Sequence, residues 1–354
     1  MQRMFIDPKD IDYALVKQAV QIIQQGGIVA LPTDTVYGLG VYAGRKDVVD
    51  KLYNLKKRPK DKPFSFALGS VNKAIRDYFD TLPPFGYRLM EKFWPGPLTI
   101  IYYTSGDEKV GVRVPAHVVT NRILNELGAA VYLPSANISG QKEPSSAQEV
   151  EDIFGNQLDL IIDGGKCTHS QPSTVVDLTS RPFKVLRKGV VSEQDIVKIF
   201  ARKRILFVCT GNSCRSPMAQ FLLSKYLKEV QPYFDERYEI ISRGTSAPPG
   251  LRISPSVVSI LKEKEELDAD NFFVQRLDRF TVLSSDLIFT MEDTQSKYVL
   301  ELEPKAKGRV FNLKKFLPSG MQKDIPDPVG RDMTVYGKVY LLIKEAILEL
   351  KDWL

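Results

Sequence analysis

Thirteen consecutive residues constrain this chain more than any others: Ile205-Leu206-Phe207-Val208-Cys209-Thr210-Gly211-Asn212-Ser213-Cys214-Arg215-Ser216-Pro217. Ile205 to Val208 is a short apolar run, the pattern of a strand covered on both faces. Gly211 and Asn212 tolerate the left-handed backbone of a tight loop, and Pro217 fits the first turn of a helix. Strand, loop and helix in that order aim several backbone N–H groups at one spot, which makes an anion site. Cys209 opens the loop and Arg215 closes it, with five residues between them. A cysteine at the mouth of a cationic cradle is favoured as its thiolate and can act as a nucleophile. The planar fork of an arginine can hold two phosphoryl oxygens at once. A buried structural cysteine at a strand end is the plain alternative, but it leaves the loop and helix signals unexplained.

What is scarce narrows the rest of the chemistry. The 354 residues hold two histidines, His117 and His169, and neither follows Cys209. Proton transfer in the second half therefore falls to a carboxylate or a thiol. A histidine metal centre or a Ser–His–Asp triad is not expected anywhere. Three cysteines are too few for a disulfide framework, so a reducing, cytoplasmic compartment is expected. Residues 1–7 do not read as a signal peptide, and no apolar run reaches the length of a membrane span. The length points to two domains. A net charge of +6 suits anionic substrates such as nucleotides or phosphoprotein; RNA contact fits this charge without following from it.

In the first half, Asp7-Pro8 reads as the start of a helix whose stripe is Ile11, Leu15, Ala19 and Ile22, ended by Gly26-Gly27. A strand over 28–31 runs into Pro32-Thr33-Asp34-Thr35-Val36-Tyr37-Gly38-Leu39-Gly40. Gly38 and Gly40 imitate a dinucleotide fingerprint, but no clean helix opens at the second glycine. Four lysines and an arginine then fall within the seven residues 56–62. Pro59 and Pro63 stiffen that loop, so its cations converge, an arrangement suited to a triphosphate. No Walker loop occurs. Strands are expected at 100–103, at 110–115 with Arg113 among apolar residues, at 130–133 before Pro134-Ser135-Ala136-Asn137, at 173–177, and at 185–189. Such an arginine needs an anionic partner.

In the second half, Ser192 and Asp195 form a capping pair for a helix to about Phe200. The junction 201–204 has no Gly/Ser/Pro tract. Strands near 238–242 and 286–290 alternate with helices near 218–230, 255–264, 294–300 and 336–351. This alternation predicts a small parallel sheet with helices on both sides and a ligand at the carboxyl ends of its strands. Asp324-Ile325-Pro326-Asp327-Pro328-Val329-Gly330 offers an acid in a proline-stiffened loop, at Asp327 or at Asp324.

From about Asp7 to Val191 the chain resembles the threonylcarbamoyl-adenylate synthase family (YrdC-like). The resemblance rests on Pro-Thr-Asp-Thr-Val-Tyr-Gly-Leu, the Lys-x-Arg-x3-Lys-Pro loop, Trp-Pro-Gly-Pro-Leu-Thr, Val-Arg-Val-Pro-Ala-His, Ser-Ala-Asn and Ser-Thr-Val-Val-Asp. It implies that L-threonine and bicarbonate give a carbamate that attacks the α-phosphate of ATP. Pyrophosphate leaves, and the product serves tRNA adenosine-37 modification with partner proteins. It also implies magnesium with the ATP. Lys56, Arg58 and Lys62 would hold the triphosphate, Ser135 and Asn137 the nucleotide, and Arg187 the adenylate phosphate. Thr35, Arg113 and Ser173 would hold threonine. Two positions depart from the family. Ala67 stands where some members use a histidine for threonine, and Pro172 where some have an acidic residue. A second reading therefore makes this domain a nucleotide- or RNA-binding module without synthase activity.

The run from Val208 to Pro217 resembles the phosphate-binding loop of the low-molecular-weight protein phosphatases. Cys209 would attack phosphorus and Arg215 would hold the equatorial oxygens. Ser216 would bond the thiolate and Asn212 would shape the loop. Asp327 would be the general acid and then the base that activates water. Cys214 could pair with Cys209 on oxidation. Ser213 in the loop, Val329-Gly330 after Asp-Pro, and Ala247-Pro248-Pro249 leave phosphotyrosine and phosphoarginine level as substrates. The implied fold class is α/β: an N-terminal YrdC-like twisted α/β sheet domain over 1–200, then a C-terminal small parallel-sheet, Rossmann-like phosphatase domain over 203–354. The expected whole is a bifunctional enzyme, a nucleotidyltransferase joined to a cysteine-dependent protein phosphatase.

Overall fold

The computed structural model describes residues 2–248, 250–320 and 323–354. Pro249, part of the loop noted above, lies outside the described residues. In chain order the strands are β1 (Gln2–Phe5), β2 (Val29–Leu31), β3 (Gly38–Tyr42), β4 (Phe66–Ala67), β5 (Leu98–Tyr103), β6 (Lys109–Arg113), β7 (Val131–Tyr132), β8 (Leu160–Asp163), β9 (Thr174–Asp177), β10 (Lys184–Arg187), β11 (Lys203–Cys209), β12 (Tyr238–Gly244), β13 (Leu287–Thr290) and β14 (Val310–Asn312). The helices are α1 (Tyr13–Gln24), α2 (Lys46–Leu55), α3 (Val71–Asp77), α4 (Pro84–Phe93), α5 (Val118–Leu127), α6 (Ala147–Phe154), α7 (Glu193–Ala201), α8 (Arg215–Val230), α9 (Phe234–Arg237), α10 (Pro255–Glu265), α11 (Arg279–Ser284), α12 (Asp293–Leu302) and α13 (Met333–Trp353).

Two compact units result: Met1–Leu82 with Leu89–Ile196, and Pro83–Arg88 with Val197–Leu354. The division between these units lies inside α7, and a short piece of α4 groups with the second unit.

The first unit is built on a ten-stranded sheet in the order β1-β8-β2-β3-β7-β4-β6-β5-β9-β10. It is mixed: β2 runs parallel to β8 and antiparallel to β3, while β5 runs antiparallel to β6 and parallel to β9. Alternation along a strand puts neighbouring side chains on opposite faces. Val29 and Leu31 join one core with Val16, Val20 and Ile23 of α1 and Ile123 and Leu124 of α5. Ile28 and Ala30 join another with Val48 and Leu52 of α2 and Val150 and Phe154 of α6. Each large side chain so buried contributes about 1.5–3 kcal/mol.

One local expectation is corrected. Helix α1 starts at Tyr13, where Asp12 accepts from Ala14 N. Asp7 instead closes a turn, its carboxylate accepting from Lys9 N at 2.8 Å. Gly38 to Tyr42 is strand β3. A Cβ on Gly38 would stand 2.7 Å from the Leu133 side chain, so the glycine permits a close strand neighbour.

The second unit has a four-stranded parallel sheet in the order β12-β11-β13-β14. Ile205 and Phe207 pack into a core with α8 and α13, and Leu206 and Val208 into one with Val282 and Val299. β11 is therefore covered on both faces, as its apolar run requires. Its neighbours β12 and β13 lie on either side, so the connections diverge at its carboxyl end. That crevice is where open α/β sheets hold ligands, and Cys209 sits there.

Candidate functional sites

In the first unit a cleft of about 950 Å³ is lined by Thr35, Arg58, Lys62, Ala67, Arg113, Ser135, Ser173 and Arg187, among others. Parallel pairing of β4 with β6 sets Ala67 beside Arg113. Arg113 is fixed at three of its nitrogens. Nε donates to Gly96 O at 2.9 Å, Nη1 to Thr35 Oγ1 at 2.8 Å, and Nη2 to the Asp34 carboxylate at 2.5 Å. Asp34 also accepts from Ala116 N at 2.9 Å. The anionic partner that Arg113 requires is therefore built into the chain, and Asp34 was missed as a site residue although the motif contains it. The Thr33 hydroxyl folds the turn that presents Thr35, accepting from Thr35 N and Val36 N.

Arg187 donates from Nε to Ser173 O at 3.0 Å and from Nη2 to Ser173 Oγ at 2.9 Å. Ser173 Oγ also lies 3.0 Å from Thr99 Oγ1. Partial desolvation pulls the Arg187 guanidinium down; Glu143 opposes, and Arg113 and Arg58 push it down further. Three cations that repel one another in a cleft are stabilised by an anion between them. Arg58 is braced along its own loop, donating to Lys62 O at 2.8 Å and Pro63 O at 3.1 Å, and its guanidinium lies over the Phe64 ring.

Lys56 and Asn137 are placed differently from the expectation. Neither is on the cleft wall. Lys56 is 2% exposed and its ammonium turns inward to Ser135 O and Asn137 O. Asn137 donates to Gln141 O at 2.6 Å and accepts from Ser135 Oγ at 2.6 Å.

In the second unit the loop after β11 forms the predicted cradle. Cys209 Sγ accepts from Asn212 N at 3.2 Å and lies 3.0 Å from Ser216 Oγ. Asn212 adopts φ +54°. Its amide donates to Ser216 Oγ and Ser242 Oγ and accepts from Gln275 N at 2.8 Å, so it pins the loop from three sides. Gly244, at the end of β12, allows the closest approach: a Cβ there would stand 2.7 Å from Thr210 O and 2.8 Å from Asn212 N.

Arg215 begins α8 and is 1% exposed. It donates to Ile325 O at 2.9 Å and pairs with Glu292 and, at 2.5 Å, with Asp327. Of the two acid candidates, Asp327 is the one brought to Arg215. Asp324 accepts from Asn312 and Lys314. Burial pushes its carboxyl up, but Lys314 and the other donors leave it below the usual range. Glu292, at the start of α12, was missed; nothing in its local sequence signals a partner 77 residues away. Cys214 Sγ lies 3.5 Å from Tyr336 Oη and 3.6 Å from Ser213 Oγ, and burial raises its thiol pKa.

Comparison with known proteins separates the two units. Residues 21–189 match the family model for Sua5, YciO and YrdC, described as telomere recombination. A putative threonylcarbamoyl-AMP synthase of Mycobacterium tuberculosis is 33% identical, over 54% of this chain and 92% of its own length. The first half of the chain belongs to the Sua5/YciO/YrdC family. Another member, the threonylcarbamoyl-AMP synthase of Pyrococcus abyssi, is 35% identical over 56% of this chain, which spans 61% of that relative's length. The crystal structure of Pyrococcus abyssi Sua5 complexed with L-threonine shares the fold of this Sua5/YciO/YrdC chain, with a TM-score of 0.54, 23% identity, and coverage of 88% and 99% of the two chains. Residues 204–354 match the family model described as low molecular weight phosphotyrosine protein phosphatase. The second half is thus a domain of that kind. Among the described residues no helix is long and apolar enough to cross a membrane.

Proposed function

We propose that the protein is a bifunctional enzyme of the cytoplasm. Its first half forms L-threonylcarbamoyl-adenylate for tRNA modification, and its second half removes phosphoryl groups from protein. The observation that carries the first activity is the convergence of Arg58, Arg113 and Arg187 on one cleft with Thr35 and Ser173. The two free Nη protons of Arg113 can take the threonine carboxylate while Thr35 is held beside it. Arg58, Lys62 and Arg187 can neutralise the phosphates, so the carbamate attacks the α-phosphate and pyrophosphate departs. Catalysis is then positioning and charge stabilisation, without a protein nucleophile. Magnesium would enter as the ion carried by ATP; among the described residues no group of three or more His, Cys, Asp and Glu is gathered to hold a metal.

The second activity rests on Cys209 at the head of a loop held by Asn212 and Ser216, with Arg215 paired to Asp327. Cys209 attacks phosphorus and Asp327 protonates the leaving atom; Asp327 then deprotonates the water that hydrolyses the phosphocysteine. The substrate is phosphotyrosine or phosphoarginine in protein, and peptides carrying each, compared at equal concentration, separate the two. For the first half a second reading, a nucleotide- or RNA-binding module, is favoured by Ala67, which gives the cleft wall no hydrogen-bonding side chain. The deciding experiment is pyrophosphate release from ATP, magnesium and bicarbonate with and without L-threonine. Release that needs threonine and vanishes in Arg58→Ala supports the synthase; release indifferent to threonine sinks it.

A further inference from the structure

Lys56 caps the carboxyl end of α2, and its side chain runs under the turn that follows β7. Its Nζ donates to the carbonyl oxygens of Ser135 and Asn137, the latter at 2.7 Å, and lies 3.4 Å from Asn137 Oδ1. Its own carbonyl accepts from Ser139 N at 2.9 Å. An ammonium has three protons, and three oxygens stand around this one, so it has none left for a phosphate. The turn is folded onto that ammonium: Asn137 N donates to Ser135 O at 2.9 Å, and Ser135 Oγ donates to Asn137 Oδ1. Ser135 lines the cleft, while Lys56 does not.

We propose that Lys56 is a positioning residue of the nucleotide site: it holds the Ser135–Asn137 turn at the cleft wall and does not touch the triphosphate. The proposal rests on the reading of the cleft as an ATP site. Arg58, two residues on, stands in the cleft, so adjacent members of one basic run have separate tasks. Without the ammonium, two inward-pointing carbonyls lose their charged donor, and the turn is free to leave the wall. A charge-dependent brace also follows pH. Burial pulls the Lys56 amine down to about 7, Arg58 pushes the same way, and Glu143 opposes. Above neutrality the amine has two protons and no charge for the same three oxygens, so its hold weakens. An arginine in that place keeps its charge.

The test uses the full chain and calorimetric binding of adenosine and of magnesium–ATP at pH 6.5. Lys56→Met should weaken both ligands by the same factor, about tenfold, while Arg58→Ala should weaken ATP and leave adenosine unchanged. A loss in Lys56→Met confined to ATP would mean that Lys56 touches phosphate and would overturn the proposal. A pH series guards against a variant that folds poorly. Wild-type affinity for adenosine should fall between pH 6 and 8.5, and Lys56→Arg should flatten that fall; a flat wild-type profile overturns the brace. If the wild type binds neither ligand while Cys209-dependent phosphatase activity is intact, the ATP-site reading itself fails, and the proposal with it.

Discussion

Arg215 is buried to 1% exposure and holds two carboxylates. Asp327 is one of them, so the residue assigned to protonate the leaving group is tied to the residue assigned to the phosphoryl oxygens. On the proposed mechanism a bound phosphoryl group would take over the guanidinium and release Asp327 for proton transfer. Asp327→Asn should therefore lower kcat by about 10²–10³-fold on a poor leaving group, and much less on an activated aryl phosphate that departs without a proton. An equal loss on both would move the acid role elsewhere. The contacts legible from local sequence were those within one loop, where Cys209, Asn212 and Ser216 bond to one another. Asp34 and Glu292 were not legible, because their arginines lie 79 and 77 residues away. The inward turn of Lys56 was not legible for the same reason. A basic run tells that cations are present, but not which one turns inward to a carbonyl 79 residues on.

At the scale of elements, the loop after β11 depends on the end of β12. Gly244→Ala puts a carbon against Thr210 O and Asn212 N, both backbone atoms with little room to move. That change should cost about 1–3 kcal/mol of stability and lower phosphatase activity, read by thermal melting and aryl-phosphate hydrolysis. Stability unchanged would mean that the loop relaxes freely. Away from the loop, Glu265 at the end of α10 ties α8 and α13 together through Lys225, Tyr226, Tyr340 and Lys344. Burial pushes its carboxyl up, but these four donors outweigh it and leave it at about 2, against 4.5 when unfolded. The folded value is the lower one, so the stabilisation is complete above pH 4.5 and is lost as pH falls toward 2. It amounts to about 3 kcal/mol. Melting temperature should drop across that window, and Glu265→Gln should shallow the drop; an unchanged slope would remove Glu265 as its source. Element identity was readable wherever apolar period and length agreed, as for β11 and α13. It failed where a turn imitated a cap at Asp7.

At the scale of the molecule, the two sites draw their residues from separate units, so their losses should separate as well. Cys209→Ser should abolish aryl-phosphate hydrolysis and leave threonine-dependent pyrophosphate release unchanged. Surviving hydrolysis would make Cys209 the wrong nucleophile, and a parallel fall in both activities would show the two chemistries to be joined. The two-domain plan was visible in the sequence because each half carries its own ordered motifs.

The hydrogen bonds of Arg113 have one more consequence. Three of its five protons are held by Gly96, Thr35 and Asp34, which leaves two for a ligand. An amino acid whose carboxyl group is capped offers that pair nothing of the right charge, so threoninamide should release no pyrophosphate where free threonine does. A threonine at the head of a polypeptide is excluded for the same reason. On the proposed reading the first site takes a free amino acid, while the second works on phosphoprotein.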